Sequence, residues 1–124
     1  MTVHVDTSAL IDALTGPRRS LEVLIRLTDE GHRLAISTIV LYEWSRGPRT
    51  KADLDAQQAL LPGERAIGFG PAEALLAAKL YQQVRKARGR EVDLAIAATA
   101  LVHGAAMLTL NRDDFRDIPD LRLL

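Results

Sequence analysis

Four carboxylates come from distant parts of the sequence, at positions that a fold could bring together in one site. They are Asp6 in VDTSAL, Glu43 in STIVLYEWSRG, Asp93 in EVDLAIAATALV and Asp114 in TLNRDDF. Like charges that are held close together repel one another, so a cluster of carboxylates requires a cation. Oxygen ligands without histidine or cysteine suit a hard ion such as Mg²⁺ or Mn²⁺. If the fold gathers these acids, they indicate chemistry at phosphate groups.

Asp93 is the acid that is hardest to explain as ordinary structure. From Val92 to Val102 every residue is apolar except Asp93 and Thr99, and a helix that is apolar nearly all round is a buried helix. A carboxylate at the head of such a helix must be paired, metal-bound or protonated. The other three acids have plainer alternatives, in chain order a helix cap, an exposed acid near a helix start and a solvated loop residue.

The acids can meet only if the chain alternates between strands and helices. Five apolar runs are predicted as strands: TVHV (2–5), RLAIS (33–37), RAIGF (65–69), AMLTL (106–110) and, more weakly, LRLL (121–124). Segments with helical spacing separate them. Thr38 is predicted to cap one helix that Gly47-Pro48 ends, and Pro71 to begin another. The pattern predicts a three-layer α/β/α sandwich around a central parallel sheet of four to five strands.

In an open parallel sheet, sites form at the carboxyl ends of the strands. Asp6 directly follows the first predicted strand, with Ser8 as the predicted cap of the next helix. Glu43 lies in the first turns of the helix after the second strand. Asn111 directly follows AMLTL, and Asp114 comes three residues later. We therefore expect these residues at one edge of the sheet.

Composition excludes several other classes of protein. The 124 residues predict one domain spanning 1–124, and no apolar run approaches the ~18 residues that cross a bilayer. The N-terminus lacks the pattern of a signal peptide. The absence of cysteine excludes disulfides and thiolate metal sites and fits a cytoplasmic protein. Because the formal net charge is zero, nucleic-acid binding would have to come from local basic patches.

Two groups of basic residues lie next to the acidic positions in the sequence. The candidates for contact with an RNA backbone are Arg46, Arg49, Lys51, Arg85, Lys86, Arg88 and Arg90. Solvated helix ends are the plainer explanation of the same charges. Tyr42 and Trp44 flank Glu43, and packing is the expected role of both, with base stacking as the alternative.

Four motifs in a fixed order resemble a known family: VDTSAL, YEWSRGPR, VDLAIAATA and LTLNRDDF. With them the chain looks like a PIN-domain ribonuclease of the short VapC type, found as toxins in bacterial and archaeal toxin–antitoxin pairs. The resemblance covers essentially the whole chain. It implies that Asp6, Glu43 and Asp93 are the active-site acids, with Asp6 and Asp93 as the main metal ligands and Glu43 acting directly or through water.

The resemblance implies further properties of the site and its partners. The strand-end position of the fourth acid is the neutral Asn111, so Asp114 is the available carboxylate, and the number of metal ions stays open at one or two. Ser8 or Thr7 would hydrogen-bond the metal ligands. The implied activity is Mg²⁺- or Mn²⁺-dependent hydrolysis of RNA phosphodiesters by a water attacking in line. The implied partners are a small VapB-type antitoxin, whose tail blocks the site, and a second toxin chain in a homodimer.

Two other classes of function remain open at this point. A receiver-type phospho-acceptor domain is also a parallel α/β domain with an acidic Mg²⁺ pocket. It requires paired acids after the first strand and an aspartate after the third, whereas Asp6 stands alone and FGPAE contains no aspartate. A catalytically silent PIN-like binding module is the second alternative, against which the intact set of acids argues.

Overall fold

A computed structural model of the chain describes residues 1–15 and 19–124. Within these ranges lie three strands, β1 (Thr2–Val5), β2 (Arg33–Ala35) and β3 (Ala106–Leu108). The helices there are α1 (Thr7–Leu14), α2 (Arg19–Asp29), α3 (Thr38–Arg46), α4 (Lys51–Leu60), α5 (Pro71–Gln83) and α6 (Glu91–Val102). Two 3₁₀ turns cover Gly63–Arg65 and Arg112–Asp114. None of the helices in the described ranges has the length and hydropathy of a membrane span.

The three strands form one parallel sheet in the order β2-β1-β3. In the central strand Val3, His4 and Val5 are all fully buried, although alternate side chains of a strand point to opposite faces. Both faces of the sheet are therefore covered. Among the helices, α1 packs against α2 and α3, and α5 packs against α6. The predicted parallel α/β architecture is confirmed.

The sheet has three strands instead of the predicted four to five. The two remaining segments contribute one bridge each, Ile67 beside Ser37 and Leu123 beside Met107. Residues 65–69 stay short because a 3₁₀ turn ends at Arg65 and α5 begins at Pro71. The bridge at Leu123 rests on two bonds, from Met107 N to Arg122 O (2.8 Å) and from Leu124 N to Met107 O (3.0 Å).

Two of the predicted helix caps were wrong by one or two residues. Ser37, and not Thr38, caps α3, because its hydroxyl accepts a hydrogen bond from Val40 N at 3.0 Å. Asp6, and not Ser8, occupies the cap position of α1, but its side chain makes no capping bond. The predicted end of α3 at Gly47 and the start of α5 at Pro71 are confirmed. Because the Asp6 carboxylate bonds no backbone N–H at the start of α1, it is available for other contacts.

Helix α6 is the buried helix that its sequence predicts. Every residue from Leu94 to Ala100 is buried, and α5 and β3 pack against it. Trp44 is also fully buried, which confirms packing as its role. His4 is fully buried with neither ring nitrogen hydrogen-bonded to any described residue. Burial, with a contribution from His103, lowers the pKa of His4 to about 4, so the ring is neutral at pH 7.

Replacing Ser37 by alanine is expected to lower the free energy of unfolding by about 1 kcal/mol, because the buried N–H of Val40 loses its acceptor. Thr38→Ala is the matched control, since Thr38 is exposed and its hydroxyl caps nothing. Urea unfolding followed by circular dichroism measures both variants. Equal losses in the two would contradict the assignment of Ser37 as the cap.

Candidate active site

The carboxylate of Asp6 is buried at the point where β1 passes into α1. Asp6 is only 4% exposed. Its backbone N–H donates to the carbonyl oxygen of Leu108, the last residue of β3, at 2.9 Å. Oδ2 accepts hydrogen bonds from the hydroxyls of Ser8 (2.9 Å) and Thr109 (2.8 Å). Both donors are neutral, and no lysine or arginine in the described part of the chain forms an ion pair with Asp6. A buried carboxylate in this setting requires positive charge from elsewhere.

Thr109 is a site residue that the sequence reasoning missed. Besides donating to Asp6, its hydroxyl accepts a hydrogen bond from Asn111 N at 3.0 Å. Ser8 Oγ likewise accepts from Leu110 N at 3.0 Å. Each hydroxyl thus takes a backbone N–H from the loop after β3 and donates to Asp6. The available signal was a threonine directly after the apolar part of AMLTL, at the same sheet edge as Asp6. Asn111 contributes its backbone N–H to this network.

Glu43 reaches the site from α3 and is held by the first residue of α1. The hydroxyl of Thr7 donates to Glu43 Oε1 at 2.7 Å. Glu43 Oε2 lies 3.8 Å from Arg46 Nη2, and the Arg46 side chain is 61% exposed, so this ion pair adds little. Thr7 and Ser8, adjacent in sequence, therefore support two different carboxylates.

Asp93 feels the charge of all three other acids. Burial raises the pKa of Asp93, and the negative charges of Asp6, Asp114 and Glu43 raise it further, to about 6 from the ordinary 3.8. The positive charge of Arg90 acts in the opposite direction without cancelling these effects. Acids from four separate segments of the chain thus act on one another electrostatically.

The basic residues after Glu43 are engaged with the protein to different degrees. Arg49 stacks on Trp44, 4.3 Å from guanidinium to ring centroid, and its Nε donates to Trp44 O at 2.9 Å. Lys51 pairs with Asp55 at 2.7 Å. Arg46 lies over the ring of Tyr42, which is 63% exposed. Of these three cations, Lys51 is the most exposed, at 90%, whereas Arg46 is the one in contact with an acid of the site, Glu43.

The basic run before Asp93 also divides into two kinds of residue. Arg85, Lys86 and Arg88 are exposed, and their side chains donate no hydrogen bond to any described residue. Arg90 is different: its guanidinium hydrogen-bonds Asp117 at 2.6 and 2.8 Å, and its side chain is 19% exposed. The spacing in the sequence gave no sign of this difference.

The donor set at the edge of the sheet fits a hard divalent cation. The candidate ligands are carboxylates, and Asp6 Oδ1 and both carboxylate oxygens of Asp93 accept no hydrogen bond from the described residues. In residues 1–15 and 19–124, no three acidic or imidazole side chains already converge as a complete ion cage. The acids would therefore draw together around an ion, and the positive end of the α6 dipole favours negative charge at Asp93.

Known proteins match this chain over nearly its whole length. A family model of the PIN domain matches residues 3–121. Ribonuclease VapC19 of Mycobacterium tuberculosis is 32% identical over 120 residues, which are 95% of each chain. The crystal structure of VapBC2 from Rickettsia felis bound to a promoter DNA fragment matches with a TM-score of 0.76 and 24% identity, covering 100% of this chain and 98% of that one.

A toxin–antitoxin complex from Klebsiella pneumoniae matches with a TM-score of 0.72 and 26% identity, over 96% of this chain and 94% of that one. These matches confirm the resemblance that the four sequence motifs carry. Since the family match spans nearly the full sequence, the chain belongs to the PIN-domain family, and its relatives are VapC-type members of toxin–antitoxin modules.

Proposed function

We propose that this chain is a Mg²⁺- or Mn²⁺-dependent endoribonuclease and the toxic member of a toxin–antitoxin pair. One observation carries the proposal. Asp6 is a buried carboxylate bonded by two hydroxyls, and burial together with the charges of three other acids raises the pKa of Asp93, while no cation of residues 1–15 and 19–124 is bonded to either carboxylate. Such a cluster suits an exogenous cation and a phosphate substrate. The relative VapC19, named a ribonuclease, supports RNA as that substrate.

Asp6 and Asp93 are the proposed main ligands of the ion, Glu43 a ligand directly or through water, and Asp114 the fourth acid. When bound, a divalent ion neutralises phosphate charge and lowers the pKa of water at the site. Ser8 and Thr109 both bond Oδ2 of Asp6, which fixes the carboxylate plane and leaves Oδ1 for the ion.

Water is the proposed nucleophile, because the nearby hydroxyls are already committed. Ser8 Oγ donates to Asp6 and accepts from Leu110 N, and Thr7 donates to Glu43. No histidine among the described residues hydrogen-bonds either hydroxyl, so neither has a base to activate it. These two side chains would therefore orient carboxylates while water attacks the phosphorus.

An RNA strand entering this site would need cations along its backbone. Arg85, Lys86 and Arg88 are exposed just ahead of α6, and Arg46 is exposed beside Glu43. We assign the phosphate contacts to these four side chains first. Lys51, 90% exposed and held only in a surface ion pair, is the next candidate, whereas Arg49, bonded to Trp44, would contribute mainly through its charge.

The proposed partners are a small VapB-type antitoxin and a second copy of this chain, in the cytoplasm. The solved relatives from Rickettsia felis and Klebsiella pneumoniae are themselves toxin–antitoxin complexes. For the homodimer, the described part of the chain offers an apolar surface beside the site, with Phe69, Leu75, Tyr81 and Val92 between 39% and 74% exposed. A groove of about 470 Å³ lies within it, lined in part by Leu94 and Ala95. Clustered exposed apolar side chains of this kind mark protein interfaces.

Asp93→Asn is expected to abolish metal-dependent RNA cleavage, because it keeps the shape of the side chain and removes one ligand charge. Asp113→Asn is the matched control: Asp113 lies beside Asp114 but is 86% exposed and pairs with Arg116. Cleavage of a mixed RNA substrate with Mg²⁺, with Mn²⁺ and with chelator measures the effect. Wild-type protein that folds and binds Mg²⁺ but cuts no RNA would favour the silent binding module.

The stability of the metal-free protein should depend on pH through Asp93. Its pKa is about 6 in the folded state and near 3.8 when unfolded, so ionisation costs folding stability as pH rises between these values. Asp93→Asn removes that cost. In chelator, the Tm of the variant relative to wild type should therefore increase from about pH 4 to about pH 7.

The difference in Tm between the variant and wild type cancels the contribution of His4 to stability, which changes with pH in the opposite direction. Since the folded pKa of His4 is about 4, below its ordinary 6.5, it lowers stability as pH falls through this range in both proteins. A Tm difference that stays constant with pH would show that Asp93 is not in a repelling cluster.

Expression of the chain alone should arrest bacterial growth, and Asp93→Asn should abolish the arrest. Co-expression of the small protein encoded beside this chain should relieve it, because a tail that covers the acids excludes RNA. Growth curves with immunoblots for equal protein level provide the measurement. Normal growth with abundant folded wild-type protein would count against the toxin role while leaving ribonuclease activity open.

A further inference from the structure

Arg90 connects two separate segments of the chain through one guanidinium group. Nη1 donates to Asp117 Oδ2 at 2.8 Å and to Arg85 O at 3.1 Å. Nη2 donates to Asp117 Oδ1 at 2.6 Å and to Asp114 O at 2.9 Å. The contact with Asp117 is bidentate, the strongest geometry available to an arginine and a carboxylate. The loop before α6 is thereby joined to the segment from Asp114 to Asp117.

This connection adjoins the proposed ligand Asp93 and the fourth acid, Asp114. Arg90 is the cap residue of α6, three positions before Asp93, and it bonds the backbone carbonyl of Asp114. It bonds neither the Asp93 nor the Asp114 carboxylate, whose oxygens accept no hydrogen bond from residues 1–15 and 19–124. Its positive charge still acts on both acids, which moderates their repulsion.

The bonds leave little of the guanidinium for RNA. Four of its N–H groups are donated within the protein, and its partner Asp117 carries a negative charge that repels phosphate. Arg88, two residues earlier, is exposed and makes no such bond. Two arginines that look equivalent in RKARGR therefore have different surroundings.

We propose that Arg90 and Asp117 form a clamp that sets where the Asp114 segment lies relative to Asp93. Arg90 is then a positioning residue for the acidic site, and its importance for catalysis rests on the proposed nuclease function. Support behind metal ligands commonly determines metal affinity and activity, by roughly ten- to a hundredfold.

The test compares Arg90→Ala, Asp117→Asn, their combination and Arg88→Ala. The two clamp variants should each lower kcat by about tenfold and weaken Mn²⁺ binding by about tenfold in calorimetry, with KM for RNA nearly unchanged. The combined variant should be no worse than Arg90→Ala alone, because that substitution already removes every bond that Asp117→Asn weakens. Arg88→Ala should instead raise KM and reduce the salt dependence of binding.

Asp117→Asn distinguishes the clamp from an RNA contact by the sign of its effect. If Arg90 binds RNA, Arg90→Ala raises KM, whereas loss of the Asp117 charge frees the arginine and leaves RNA binding unchanged or tighter. That pair of results would overturn the clamp. Arg90→Lys, which keeps the charge but cannot form the bidentate pair, should rescue the activity only in part.

Amide hydrogen exchange tests the clamp without any activity. In the described structure the N–H groups of Asp114, Phe115 and Arg116 are bonded to carbonyls of Asn111 and Arg112. Arg90→Ala should speed their exchange while α1 and α6 exchange as in wild type. Unchanged exchange would contradict the clamp. If wild-type protein cleaves no RNA, the nuclease proposal fails while exchange and Mn²⁺ binding still decide the clamp.

Discussion

Repulsion among carboxylates at one edge of the sheet is the constraint that the surrounding structure has to accommodate. Burial and the charges of three other acids together raise the pKa of Asp93 to about 6. The free energy that offsets this repulsion comes from apolar burial elsewhere in the fold. Helix α6 is buried from Leu94 to Ala100, immediately after the acid, and its burial anchors Asp93 in place.

The protein holds these acids mainly with neutral donors. Hydroxyls of Ser8 and Thr109 support Asp6, and the hydroxyl of Thr7 supports Glu43. A lysine or arginine bound directly to Asp6 would stabilise the empty site but compete with an incoming ion. Hydroxyls orient the carboxylates and keep their charge available, which is the arrangement that a metal site requires.

Arg90, whose positive charge acts on Asp93 and Asp114, bonds other groups of the protein and not their carboxylates. Arg90 joins the start of α6 to the segment that carries Asp114, through a backbone carbonyl and Asp117. The hydroxyls at Asp6 and the guanidinium of Arg90 at Asp114 O each fix the position of an acidic segment. Both hold the site together while the carboxylate oxygens of Asp93 remain unbonded to the described residues.

Local sequence determined the alternation of elements and the candidate acids. Apolar runs specify β1, β2 and β3, the apolar helix α6 isolates Asp93, and strand ends mark the edge where Asp6 lies. These features depend on periodicity over a few residues, which a sequence displays directly. The extent of the sheet is not local: residues 65–69 form one bridge because a 3₁₀ turn ends at Arg65 and α5 begins at Pro71.

Tertiary structure alone decided the hydrogen-bond partners. Thr109 meets Asp6 across 103 positions and Arg90 meets Asp117 across 27, and no local pattern encodes either contact. Ser37 caps α3 and Thr38 does not, because the backbone angles after β2 determine which hydroxyl reaches the N–H of Val40. The sequence by itself thus determined which residues could do chemistry. The folded chain decided which hydroxyls and which arginine hold them, because those contacts exist only once distant segments are packed together.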